Sequence, residues 1–187
     1  MAVSPGRHQM GPDRGRIILR TFRDGLAAQA GHDLTIEAPR WSGIVAVNDD
    51  LSPASLDVHV DLEALVVRDG AGGVKPLTDK DRREIAATAR KTLGADRHPE
   101  AVFTASGPFG RDASGSGVIS GTLTLHGATR PVQALVKETG TDRYQAEVTV
   151  VQSDFGIKPY SAFLGTLRVR DAVDVVVDID LSEQGRG

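Results

Sequence analysis

The sequence predicts an all-β domain whose short strands pair antiparallel, as a barrel or a sandwich. Three observations carry this. Apolar and polar residues alternate with period two in several stretches, 21 glycines and nine prolines punctuate the chain, and only one stretch has helical spacing. Period two puts one face of a strand in the interior and the other in water. Frequent turn residues are what many short strands require.

The clearest strand runs from Leu56 to Leu62, where Leu56, Val58, Val60 and Leu62 alternate with Asp57, His59 and Asp61. Val173, Val175, Val177, Ile179 and Leu181 alternate against Asp174, Asp178 and Asp180, with Val176 the exception. His32, Leu34 and Ile36 share a face opposite Asp33, Thr35 and Glu37, and Leu123 and Leu125 lie opposite Thr122, Thr124 and His126. Nine strands follow, near 16–23, 32–38, 41–48, 55–67, 101–109, 117–126, 131–139, 143–152 and 167–181. Turn residues separate them: Asn48-Asp49-Asp50, Gly107-Pro108, 112–117, Gly127 and Gly140-Thr141-Asp142. The helix starts at Thr78, which with Asp81 resembles a capping box. It continues through Ile85, Ala89 and Leu93 at helical spacing and stops at Gly94. Arg82, Arg83, Arg90 and Lys91 give it a basic face, best read as solvated.

The chain has 187 residues. That is enough for one domain burying about 70% of the surface its unfolded form exposes. Residues 1–14 read as a disordered tail without the apolar run of a signal peptide, 15–182 as the domain, and 183–187 as a second tail. Net charge is −3, which lacks the basic footprint of broad nucleic-acid binding. No run of about 18 apolar residues is present to span a membrane. The absence of cysteine removes disulfides, thiol catalysis and thiolate metal sites, and suits a reducing cytoplasm.

Catalytic motifs are partial. Asp154-Phe155-Gly156 spells a kinase triplet without its companions. Gly70-Ala71-Gly72-Gly73 lacks the ending of a phosphate-binding loop and reads as a flexible turn. His59, between Asp57 and Asp61, fits an exposed salt-bridging face better than a metal site. His32 opens a strand on the apolar face. It is either an inward histidine satisfied by a neighbour or a polar group that orients a ligand in an apolar cavity.

Four stretches resemble the YceI-like, polyisoprenoid-binding family. They are Gly31-His32 with Trp41-Ser42-Gly43; Lys80-Asp81-Arg82 with His98-Pro99-Glu100-Ala101-Val102-Phe103; the hairpin from Gly121 to Val132, reading Thr122-Leu123-Thr124-Leu125-His126-Gly127-Ala128-Thr129-Arg130-Pro131 between those ends; and Ser153-Asp154-Phe155-Gly156-Ile157. They occur in family order over residues 16–181, and the hairpin is the most specific. The stretch from Gly72 to Arg82 departs from the usual acidic-aromatic pattern and is similar to a cytosolic subgroup.

The resemblance implies a lipocalin-like, eight-stranded antiparallel barrel with one side helix. It also implies an elongated apolar cavity for an isoprenoid lipid, polyprenyl or quinone. With the residue patterns above, the expectation is a binding protein with no cofactor, no metal and no catalysis. Strand parity then places Leu34, Ile36, Phe103, Leu123, Leu125 and Phe155 on the interior face. Ile157 to Leu164 becomes a mouth or lid, with Tyr160 and Phe163 covering the opening, and His32 meets the headgroup. Two other readings stay open: an enzyme at the barrel mouth with His32 as acid or base, and a structural protein with a filled barrel. Association into a homodimer is compatible with either.

Overall fold

The computed structural model describes residues 4–50, 52–107, 109–111 and 116–182. In chain order the strands are β1 (Gly6–Met10), β2 (Gly15–Thr21), β3 (Arg23–Asp24), β4 (His32–Ala38), β5 (Trp41–Val47), β6 (Pro53–Asp61) and β7 (Val66–Gly72). The helix α1 (Asp79–Thr92) follows, then β8 (Glu100–Ser106), β9 (Gly110–Arg111), β10 (Gly117–Leu125), β11 (Ala128–Gly140) and β12 (Arg143–Val151). The chain ends with β13 (Ser161–Ala162), β14 (Leu167–Val169) and β15 (Ala172–Asp180).

Twelve strands make one curled antiparallel sheet in the order β1-β5-β6-β8-β10-β11-β12-β15-β2-β4-β7, with β9 beside β10. The all-β class and single helix match the sequence reading; the eight-strand count does not. The tail predicted over 1–14 is the first reason. Residues 6–10 pair with β5, Met10 opposite Gly43, and Met10 is buried. Only Met10 and flanking polar residues mark this strand, so no alternation announces it. The stretch 55–67 is the second reason. The Asp61 carboxylate accepts a hydrogen bond from the Glu63 backbone N–H (2.8 Å) and starts a 3₁₀ turn over Leu62–Ala64, which divides it into β6 and β7. The strand predicted at 167–181 likewise breaks at Arg170-Asp171, and Gly70–Gly72 continue β7 opposite His32 and Leu34 instead of turning. The tail at 183–187 and most of the turn at 112–117 lie outside the described residues.

The two edge strands, β1 and β7, share no ladder among the described residues. The helix packs on β7. Its capping box is complete: the Asp81 N–H donates to Thr78 Oγ1 and the Thr78 N–H donates to Asp81 Oδ2. The β10–β11 hairpin turns through His126 (φ 53°) and Gly127 (φ 77°), the two left-handed residues a tight two-residue turn needs. His126 Nδ1–H donates to the Leu93 carbonyl (2.9 Å), tying this turn to the helix C-terminus. Much of the solid core gathers Met10, Ile36, Ala38, Trp41, Leu62, Leu65, Val67, Ala86, Phe155 and Ile157.

On the outer face of β6, His59 lies between two carboxylates. Its Nε2 is 2.8 Å from Asp57 and its Nδ1 is 3.0 Å from Glu100. The Glu100 hydrogen bond, aided by both charges, holds its pKa above the ordinary histidine value. Protonation is favoured in the folded state. The resulting stabilisation is therefore complete below the free imidazole value, about 6.5, and is lost as pH rises through the raised folded value. The melting temperature should fall modestly across that window, since the cluster is partly exposed. His59→Gln should flatten the profile there; an unchanged profile would deny the cluster a role in stability.

Candidate functional site

The curled sheet encloses a chamber of about 760 Å³. That lies within the range of small-molecule sites, roughly 300–1,000 Å³. Its wall follows strand parity: Leu34 and Ile36 from β4, Val58 and Val60 from β6, Leu123 and Leu125 from β10, Val175 and Val177 from β15. No lining residue comes from β7; α1 presents Ile85, Ala89 and Leu93 instead. Every residue of β6 is only half-buried, although Leu56, Val58 and Val60 face inward. This fits a wall that borders space a water can reach.

Seven of the eleven residues singled out from sequence line this chamber: His32, Leu34, Ile36, Phe103, Leu123, Leu125 and Tyr160. Four do not. Phe155 and Ile157 are 3% and 2% exposed, packed in the solid core outside the chamber wall. They belong to a 3₁₀ turn, Gln152–Phe155, and its exit, where strand parity has no meaning. That turn is pinned by Ser153 N–H donating to Asp171 (2.8 Å) and by Gln152 Nε2–H donating to the Arg170 carbonyl (3.0 Å). The Asp154-Phe155-Gly156 triplet is thus a structural turn, with Gly156 left-handed at φ 73°. Phe163 and Leu164 point into solvent and cover no opening, so only Tyr160 of the predicted lid reaches the chamber. Both have left-handed backbones, φ 50° and 56°, in a tight turn that directs them outward. The helical wall went unforeseen because Ile85, Ala89 and Leu93 read equally well as ordinary helix packing.

Polar groups cluster where lining residues are also exposed. Ala30, Lys75, Glu84, Tyr160 and Arg168 mark an opening between α1, the segment at 73–78 and the small sheet β13-β14-β3; Gly110 and Val118 reach solvent at the β9–β10 hairpin. At the first opening His32 Nε2–H donates to the Lys75 carbonyl (2.9 Å), and Arg23 Nη1–H donates to the Gly31 carbonyl (2.9 Å). Thr21 and Trp41 are on the wall, but Thr21 Oγ1 and Trp41 Nε1 are buried without a hydrogen-bond partner and have almost no accessible surface. Neither atom is presented to the chamber, whose wall is overwhelmingly hydrocarbon. Among the described residues no group of three histidine, aspartate or glutamate side chains is arranged to hold a metal. No helix there is long and apolar enough to cross a membrane.

A curled antiparallel sheet, one flanking helix and a large apolar chamber define the class of all-β proteins that enclose an internal space. The YceI-like domain model matches residues 25–181, and the chain belongs to that family, a polyisoprenoid-binding fold. Burkholderia cenocepacia BcnA superposes with a TM-score of 0.62 at 14% identity, over 88% of this chain and 94% of BcnA. The Campylobacter jejuni YCEI protein superposes with a TM-score of 0.55 at 14% identity, over 80% of this chain and 84% of that one. A mutant YCEI protein solved with a monobromobimane guest gives 0.58 at 14% identity over the same shares. No curated protein matches the sequence.

Gly73 holds the His32 ring in place. Its φ is 76°, and a β-carbon there would lie 2.3 Å from the imidazole. Gly73→Ala should destabilise the fold by more than about 1 kcal/mol, because the backbone is left-handed and the space is taken. The His32 imidazole resonances should shift in the same variant. Wild-type stability and shifts would show that the ring moves freely.

Proposed function

We propose that this protein binds an isoprenoid-type lipid, a polyprenyl compound or quinone, inside the chamber and carries or sequesters it without catalysis. The observation that supports this reading best is the apolar chamber of about 760 Å³ in a YceI-like fold. Each buried CH₂ contributes roughly 0.8 kcal/mol, so one isoprene unit adds on the order of 3 kcal/mol before ordering costs. A few units bind tightly with almost no hydrogen bonds, which suits a wall this poor in polar atoms. Leu34, Ile36, Phe103, Leu123 and Leu125 hold the tail, while His32 and Tyr160 meet the headgroup near the opening. The imidazole, half-buried at the opening, keeps a partner without ligand, the Lys75 carbonyl. An acid–base role would call for a carboxylate or nucleophile in reach; the hydrogen bond His32 makes is to a backbone carbonyl.

Ala146 lines the chamber on β12 between Val136 and Val177. Delipidated protein is titrated with a polyprenol and with a quinone bearing the same tail, read by native mass spectrometry and calorimetry. Ala146→Phe should weaken both at least about tenfold, roughly 1.4 kcal/mol, by filling space the tail needs. Its melting temperature should hold or rise. His32→Leu should keep tail binding and lose the preference between headgroups. Full affinity in Ala146→Phe would move the ligand out of the chamber; an unchanged preference in His32→Leu would leave that histidine a structural role only.

A further inference from the structure

Beside the first opening, two loops place large apolar side chains in water. Leu26 is 97% exposed, Phe163 is 70% exposed and Leu164 is fully exposed. The loops are tied together: the Ala27 N–H donates to the Thr166 carbonyl (2.8 Å), and Leu26 and Leu164 flank one shallow depression with Arg168. Phe163 and Leu164 are held outward by left-handed backbone angles that bulky residues rarely adopt, and Thr166 fixes the turn by donating from its hydroxyl to the Phe163 carbonyl (2.8 Å). Monomer surfaces ordinarily scatter apolar side chains singly. Here three converge on the rim of an apolar chamber.

Charge distinguishes the partner. The two segments that build this tip, 21–31 and 156–170, contain Arg23, Lys158, Arg168 and Arg170 against the single acid Asp24, in a chain of net charge −3; Arg168 lies 3.6 Å from Asp24 and Arg23 lies 3.9 Å from Asp33, so Lys158 and Arg170 carry the excess positive charge. A two-fold pairing of tips brings like patches together, and here that sets cations against cations. An anionic lipid surface meets both the apolar side chains and the basic collar. Arg168 and Tyr160 continue from this tip into the chamber wall.

We propose that Leu26, Phe163 and Leu164 dock on an anionic phospholipid bilayer and hold the chamber opening against it. That a lipid then passes into the chamber rests on the ligand reading above; the docking itself does not. The test is flotation of the full chain with vesicles of phosphatidylcholine, alone or mixed with phosphatidylglycerol. It is run beside the triple variant Leu26→Ser, Phe163→Asn, Leu164→Asn, asparagine being tolerant of left-handed angles. Wild type should float with the mixed vesicles far more than with phosphatidylcholine alone. The triple variant should lose at least about tenfold of that partition, with an unchanged melting temperature. Lys158→Gln should weaken it in the mixed vesicles only. Equal flotation of variant and wild type would overturn the proposal, as would a wild type that stays off anionic vesicles. A wild-type dimer in light scattering that the triple variant converts to monomer would also overturn it, making the tip a self-association surface. Tip-dependent flotation in a protein that takes up no isoprenoid would uphold docking and sink the ligand reading. Isoprenoid uptake with tip-independent flotation would do the reverse.

Discussion

A sheet curled around a chamber of about 760 Å³ forgoes part of the interior packing that ordinarily holds a protein together. Its wall residues face the chamber on one side, so the protein's own close packing reaches them from the other side only. The rest of this structure follows from that deficit. Cohesion comes from continuous ladders through eleven successive strands and from a buried cluster that backs the chamber, in which Trp41, Leu62 and Leu65 of the wall belong with Phe155 and Ile157 behind it. The hairpin at His126-Gly127, the Asp154-Phe155-Gly156 turn and the end of α1 fasten together: Arg130 donates to the Asp154 carbonyl (2.9 Å), and His126 donates to the Leu93 carbonyl.

Much of this was legible in the sequence wherever strand geometry governed. In β4, β10 and β15 alternation named the inward residues, because a strand permits only two directions for a side chain. Legibility ended where other rules took over. Phe155 and Ile157 look like wall residues only if their segment is extended, and a 3₁₀ turn buries them by a different route. β1 was invisible because four of its five residues carry no apolar face, and its place depends on the free edge of β5. Phe163 and Leu164 read as part of a lid over the opening; only backbone angles reveal that they face outward.

Relatives at 14% identity keep the same fold, which locates its information. What the architecture requires is a side-chain direction at each strand position and a small set of turns with special backbone angles. Many apolar residues satisfy the first requirement. Few satisfy the second, which is why the hairpin and turn motifs, more than the wall, carried the family resemblance.

One wall of the chamber differs in kind from the others. Strands are bound edge to edge, so moving one outward breaks a row of backbone hydrogen bonds together. The helix is anchored by His126 at its C-terminal end and by the Arg90 guanidinium on the Leu65 carbonyl (3.1 Å), and otherwise rests on side chains. Sliding it outward while those anchors hold exchanges side-chain contacts without opening a ladder. The chamber therefore has walls of two kinds: one held by the side-chain packing of Ile85, Ala89 and Leu93, the others held by backbone ladders of the curled sheet.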